Sequence, residues 1–412
     1  MVDIDRIRKN PDEARDMLTK RNMDAGLIDR LLDIDTRWRE LETELQELQR
    51  KQKELSAKRD IENAKQNKEA LKEKEGAVSL ISQERYEALL EIPNFFFEDA
   101  LEGRGEEDNR VIEEVGKKPS FSFTPKDHLA LGESLGIIDT QRAGNVSGSR
   151  FSYLVGKGAL LELALVQYAF DALTKNGFEA VIPPTMIRPD VYKKMGRLTQ
   201  NQKEERYYLE KDDLYLVGSA EHTLGPLYMG ASIMEKDLPK RMVGFSSCFR
   251  REAGSYGKDV KGILRVHQFD KVEMYSFASP KNSQEEHQFM LEMQKRIYKD
   301  LGIPYRVVEI CTGDMGPTDA RQFDIEAWIP SQNTYREVAS CSNTTDYQTR
   351  GIATKVKYAD GTWEYAHALN ATAIAIGRTI IAILENFQKK DGSVEIPKAL
   401  RKYTGFKKIG DR

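Results

Sequence analysis

Phe249-Arg250-Arg251-Glu252-Ala253-Gly254-Ser255-Tyr256-Gly257, followed by Arg265-Val266-His267-Gln268-Phe269-Asp270-Lys271-Val272-Glu273, packs arginines, glutamates, aromatic rings and a glycine turn into two short strand-like runs. Guanidinium forks suit phosphate oxygens. A carboxylate can accept from an exocyclic amine, and a flat ring can cover a base. Arg250 and Arg265 stand about one hairpin apart, so antiparallel strands would hold both over one triphosphate. Phe269 and Glu273 share strand parity and would face one cleft. The plainer reading of the same residues is an exposed, charged hairpin. No G-x-x-x-x-G-K-[ST] loop occurs in the chain, so a nucleoside triphosphate here would be held by side chains.

Outward from this hairpin the pattern is strand after strand. Further runs are expected at Glu179 to Ile182, Tyr215 to Val217, Met242 to Phe249, Ile263 to Gln268, Lys271 to Phe277, Tyr305 to Ile310, Phe323 to Ile329 and Tyr335 to Ser340. Helices are expected at Leu160 to Asn176, Glu285 to Leu301 and Asn370 to Phe387. Many consecutive strands with few helices between them argue for an α+β fold, an antiparallel sheet flanked by helices.

Three more clusters lie on this body. Val217-Gly218-Ser219-Ala220-Glu221 ends a strand in a hydroxyl and a carboxylate able to receive an ammonium group; a turn with a surface charge is the plainer alternative. Asn333 to Asn343 carries Glu337 and Ser340, hard oxygen ligands suited to Mg²⁺, or else a polar edge strand. Leu369 to Thr379 sets Arg378 after a run of small residues, and a buried arginine requires an anion. Thr372, six residues earlier, reads alone as a helix hydroxyl. His128, His222, His267, His287 and His367 show no metal or catalytic spacing and read as structural or surface.

Before Pro93 the chain reads as long helix. Leu31, Ile34, Trp38, Leu41, Leu45, Leu48 and Leu55 form a heptad seam in which Gln52 fills the one missed position. A second stripe, Gln66 to Glu91, carries Leu71, Val78, Ile81 and Leu89 and stops at Pro93. Joined by a polar link at Ile61 to Lys65, the two predict an antiparallel coiled-coil hairpin. Arg50, Lys51, Lys53, Lys58 and Arg59 make its distal half basic. That half is either a solvated face or a grip for a phosphate backbone. A polar connector, Glu98 to Lys118, follows.

The 412 residues are enough for two or three domains. With 63 basic and 66 acidic residues the net charge is −3, so a polyanion would need locally segregated charge. Cys248, Cys311 and Cys341 are sparse and lack metal spacing, which fits a reducing cytosol. The N-terminus lacks a signal-peptide core, and the weakly charged run Ala366 to Leu384 is broken by Arg378. A cytoplasmic chain with no membrane span is expected.

Taken together, these blocks resemble the seryl-tRNA synthetase family of class II aminoacyl-tRNA synthetases over nearly the whole chain. The resemblance covers the helical hairpin, Ser219-Ala220-Glu221, Phe249-Arg250-Arg251-Glu252, Arg265 to Phe269, Cys311 to Gly316, Asn333 to Asn343, Gly377-Arg378-Thr379 and Ile396 to Arg401. It implies a tRNA-binding arm over 1–97, a connector over 98–118 and a catalytic domain over 119–412. It implies ATP-dependent activation of L-serine and its transfer to serine tRNA, leaving selenocysteine tRNA as a second acceptor open. Arg250 and Arg378 would be catalytic. ATP would be held by Arg250, Arg251, Glu252, Arg265, Val266, Phe269, Glu337, Val338, Ala339, Ser340 and Arg378, with Mg²⁺ on Glu337 and Ser340. Serine would meet Ser219, Ala220, Glu221, Glu273 and Thr372. Arg50, Lys51, Lys53, Lys58 and Arg59 would meet tRNA. Gly177 to Pro184 looks like the motif that contributes to a homodimer interface. His222-Thr223 stands where Val-Pro is common in the family, and Ala339 replaces a usual serine. A carrier-protein ligase would lack such a hairpin, and a degenerate coiled-coil adaptor would have lost several of these nucleotide groups.

Overall fold

The computed structural model describes residues 1–253 and 262–410 in two units, Met1–Phe95 and Phe96–Arg412. The expected glycine turn at Gly254 to Gly257 lies outside the described residues. In the first unit, α1 (Ile4–Lys9) and α2 (Pro11–Lys20) precede two long helices, α3 (Gly26–Ala57) and α4 (Ile61–Glu91), which pair as an antiparallel hairpin. Ile28, Leu31, Ile34 and Leu45 of α3 are buried, as are Val78, Ile81 and Leu89 of α4. Polar contacts set the register. The Trp38 Nε1–H donates to Ser82 Oγ at 3.0 Å, and Asn67 Nδ2 donates to Leu48 O at 3.0 Å and Gln52 Oε1 at 2.8 Å. The gap in the heptad is thus matched across the seam by a polar partner, a device that fixes alignment at some cost in stability. Asp35 is fully buried between Arg8 and Arg85, whose Nε atoms donate at 2.8 and 2.6 Å. Burial opposes its charge, but the two guanidiniums outweigh burial and hold its pKa below the ordinary value.

Ile61 to Lys65 is not a link. It is the start of α4, because Asp60 accepts from the Asn63 N–H at 3.3 Å and caps the helix. The turn shrinks to Lys58 to Asp60, with Arg59 in the left-handed region at φ 59°. Arg50, Lys51, Lys53, Lys58 and Arg59 all stand exposed at this end.

Eight strands build the main sheet of the second unit: β1 (Arg110–Val115), β2 (Glu179–Val181), β3 (Lys240–Phe249), β4 (Gln268–Ala278), β5 (Tyr305–Glu309), β6 (Arg321–Ile329), β7 (Thr334–Asn343) and β8 (His367–Ala375). Their spatial order is β1-β5-β6-β7-β8-β4-β3-β2, antiparallel throughout except for β2 beside β3. Helices α5 (His128–Ser134), α6 (Lys157–Thr174), α7 (Ser283–Leu301) and α8 (Ile376–Asn386) complete this part of the fold. Leu161 and Leu165 of α6, Met290 and Ile297 of α7, and Ile380 and Ile383 of α8 share one core with Val272 and Met274 of β4 and Ala371 and Ala373 of β8. The intervening residues Lys271, Glu273, Asn370 and Thr372 point to the opposite face, which forms a cleft.

Three expectations change. Asn370 to Ala375 belongs to a central strand, not a helix, and the helix begins only at Ile376. Ala371 sits between Cys341 and Met274, paired on both sides, so the ladder overrides alanine's helix propensity. Ile263 to His267 forms turns, and β4 starts at Gln268; the Ile263 N–H donates to a side chain instead of a neighbouring strand. The stretch read as a connector contributes β1, an edge strand its acidic composition does not announce. Among the described residues no helix is long and apolar enough to cross a membrane. All three cysteines are buried and unpaired.

Candidate active site

The cleft, about 530 Å³, draws on many separate parts of the chain: Arg197 and Arg206, residues around Ser219, the segment just after β3, the return segment Ile263–Val266 that leads into β4, Asp314, Asp319 and Gln322, β7, β8 and the first turn of α8. Among the residues expected from sequence, Ser219, Glu221, Arg250, Glu252, Arg265, Val266, Phe269, Glu273, Glu337, Val338, Ala339, Ser340, Thr372 and Arg378 all line it. Two others do not. Ala220 is buried in a neighbouring apolar cluster. Arg251 turns to an adjacent cavity, donating from Nε to Arg206 O at 2.9 Å and lying 4.8 Å from the Tyr207 ring centre.

One half is cationic and open. Arg250 donates from Nε and Nη2 to Gly218 O at 3.3 and 3.2 Å, and its guanidinium lies 5.3 Å from the Phe269 ring centre. Arg206 is mostly buried beside it, and its Nε has no hydrogen-bond partner. Burial pulls the Arg206 pKa down, and Arg250 adds to that shift. Neither arginine makes an ion pair among the described residues, so the pair is short of an anion. Further along, Arg265 Nη1 lies 3.6 Å from Glu252 Oε2, and Glu252 itself adopts a left-handed φ of 49°. Arg378 Nη1 meets Glu337 Oε2 at 3.1 Å, and Ser340 Oγ donates to Glu337 Oε1 at 3.2 Å. The Arg378 charge holds Glu337 below the ordinary carboxylate range. The first turn of α8 carries no side-chain cap, and Gly377 and Arg378 in it line the cleft.

The other half is deeper and internally compensated. Arg197 donates to Glu221 Oε1 from Nε at 3.0 Å and Nη2 at 2.8 Å, and Gln348 Nε2 donates to the same oxygen at 2.7 Å. Burial disfavours the Glu221 carboxylate, yet Arg197 and Gln348 outweigh it and lower its pKa. Lys271 Nζ meets Glu273 Oε2 at 2.7 Å, and Thr372 Oγ1 donates to the same oxygen at 3.2 Å. Burial nevertheless pushes Glu273 above the ordinary glutamate value, and the charge of Glu221 adds to the rise. Asp319, raised mainly by burial, accepts from Thr318 and Ser342 at 2.8 and 3.0 Å, with Arg197 at 4.0 Å. Among the described residues, the ion pairs of Glu221, Glu273 and Asp319 are with Arg197 and Lys271, three carboxyl groups against two cations. Asn370 lines this floor with its Nδ2 buried and without a partner.

Arg197, Arg206, Lys271, Asp319 and Asn370 were not expected from sequence. Parity would have found Lys271, since it sits between Phe269 and Glu273 on one strand face. Asn370 shares the face of Thr372, but only once that stretch is recognised as a strand; Arg197, Arg206 and Asp319 carry no periodic signal. His222 is buried, and its Nδ1 lies 3.2 Å from the Gly218 N–H and 2.9 Å from Tyr192 Oη. Burial, reinforced by Arg206 and Arg197, keeps it neutral by holding its pKa well below the usual value.

No group of three or more His, Cys, Asp or Glu among the described residues could hold a metal. Glu337 and Ser340 nevertheless fit Mg²⁺ by donor chemistry: two hard oxygens 3.2 Å apart, with the carboxylate held ionised and phosphate supplying the remaining ligands.

The model for the tRNA synthetase class II core domain (G, H, P, S and T) matches residues 205–387, and that for the seryl-tRNA synthetase N-terminal domain matches residues 1–96. The chain is 52% identical over 319 residues to a serine–tRNA ligase of Acidothermus cellulolyticus, covering 77% of this chain and 75% of that protein. It is 42% identical over 419 residues to a serine–tRNA ligase of Corynebacterium kroppenstedtii, with 98% of each covered. The crystal structure of seryl-tRNA synthetase from Pyrococcus horikoshii complexed with ATP superposes with a TM-score of 0.91 at 38% identity, covering 99% of both chains.

Proposed function

The chain belongs to the seryl-tRNA synthetase family and is a serine–tRNA ligase, and on that premise we propose that its cleft performs both half-reactions on residues of its own. ATP lies along the cationic half and L-serine in the compensated half. The serine carboxylate oxygen attacks the α-phosphorus. A new P–O bond forms, the bond to the β-phosphate bridge breaks, and pyrophosphate leaves with the electron pair. Arg250, which makes no ion pair among the described residues, meets the charge that develops at the α-phosphate. Phe269 stacks on adenine, Glu252 accepts from its amino group, and the backbone at Val266 contacts the nucleotide. Arg265 and Arg378 hold the outer phosphates. Mg²⁺ on Glu337 and Ser340 would supply added charge neutralisation at those phosphates. Glu221 receives the ammonium, Glu273 accepts from the side-chain hydroxyl, and Ser219 and Thr372 complete the pocket. A terminal ribose hydroxyl of tRNA(Ser) then attacks the adenylate carbonyl and AMP departs; tRNA(Sec) is a second candidate acceptor.

The observation that carries this reading is the division of one cleft into an anion-deficient half and a half that accommodates one ammonium. Positioning and electrostatics, not a protein base, then supply the rate. The exposed basic end of the α3–α4 hairpin supports a tRNA-binding arm over 1–97, joined by 98–118 to a catalytic domain over 119–412. Exposed Leu163 (63 %) and Ile182 (75 %), the latter ahead of Pro183-Pro184, support a homodimer. The absence of a long apolar helix among the described residues accords with work in the cytoplasm. Deleting Arg50 to Lys68 should preserve serine-dependent exchange of pyrophosphate into ATP and cripple tRNA charging. Unimpaired charging would reduce the hairpin to a spacer, and absence of exchange in the intact chain would overturn the reading.

A further inference from the structure

His128 lies outside the cleft, buried at the start of α5. The Ile263 N–H donates to its Nε2 at 3.3 Å, so that nitrogen carries the lone pair. Nδ1 then carries the proton and faces Glu385 Oε1 at 3.4 Å. Glu385 is fully buried on α8. Its Oε1 also accepts from the His128 backbone N–H at 3.1 Å, and its Oε2 accepts from the Ser331 N–H at 2.9 Å. Glycine makes this approach possible. Gly262 has a φ of 78°, and a Cβ there would fall 2.0 Å from His128 Nε2. A Cβ on Gly377 would lie 3.2 Å from Ile263 O, so the Gly262–Ile263 backbone runs between the imidazole and the first turn of α8.

Both ends of this connection carry cleft residues. Ile263 begins the segment that brings Arg265 and Val266 to the cleft. Glu385 follows Arg378 by seven residues, about two turns along the same side of α8. We propose that His128 is a positioning residue for the nucleotide half: by holding Ile263 against α8 it fixes the spacing of Arg265 and Arg378 without touching a substrate. This rests on the ATP reading above. Glu221 and Glu273 are held through Arg197, Gln348, Lys271 and Thr372, none of which shares this connection.

The test is the KM for each substrate in serine-dependent pyrophosphate exchange. His128→Ala should raise the KM for ATP roughly fivefold or more and leave that for serine within about twofold. His128→Gln, whose amide oxygen can accept from Ile263, should recover most of the loss. Gly262→Ala removes no side chain but displaces the ring, and should give the same split even if His128→Ala fails to fold. An unchanged ATP KM in folded His128→Ala, equal rises for both substrates, or a glutamine variant no better than alanine would overturn the proposal. Exchange by the unaltered chain, measured alongside, tests the parent reading separately.

Discussion

The two halves of the cleft solve opposite problems. Around the proposed serine position each cation is already matched to a carboxylate, Arg197 with Glu221 and Lys271 with Glu273; Glu221, Lys271 and Glu273 are buried and Arg197 largely so. Around the nucleotide position Arg250 rests on the Gly218 carbonyl, and Arg206 has an unpartnered Nε. A small neutral zwitterion carries little binding energy of its own, so its site must be assembled before it arrives. A triphosphate carries enough charge to reorganise half-buried arginines on arrival. On the proposed reading, selectivity resides in the first half, and transition-state charge is met in the second.

Substitutions can break this division. The largest effect should come from Arg250→Ala, which removes the group proposed to face the α-phosphate. It should lower exchange kcat about 10²–10³-fold while circular dichroism stays unchanged, and retained exchange would remove Arg250 from the chemistry. Next comes Arg197→Met, which leaves Glu221 and Asp319 buried without their cation. A loss of about 3 kcal/mol, roughly a hundredfold in kcat/KM for serine, is expected. The KM for ATP should barely move; if it rises in parallel, the halves are not separate.

The smallest and sharpest effect concerns Glu273. Because burial raises its pKa, lowering the pH protonates it earlier than an ordinary glutamate. The proposed acceptor for the serine hydroxyl is then lost, so kcat/KM for serine should fall on the acid side while Glu221, with its lowered pKa, stays charged. Glu273→Gln should abolish this acid limb and narrow the preference for serine over alanine about tenfold. A limb that persists in the variant belongs to another group.

Much of this contrast could be read from sequence, and the failures have physical causes. Phe269 and Glu273 are legible because strand parity fixes their face on β4, and Arg250 because it follows β3 directly beside them. Gln52 was legible as a gap in the heptad, but its partner Asn67 lay on the other helix, where the pattern held no sign of it. Thr372 reads as helical in sequence because Ala371 and Ala373 carry helix propensity, which pairing on both sides of β8 overrides. Arg197 and Asp319 arrive from segments without periodicity, and only the folded chain brings their charges together.

The most direct test is pyrophosphate exchange with ATP, run on the intact chain with serine, threonine, alanine and glycine in turn. Serine alone should support rapid exchange, with alanine failing most clearly because Glu273, Lys271 and Thr372 would surround a methyl group. Comparable exchange with alanine would mean that the compensated half does not read a hydroxyl.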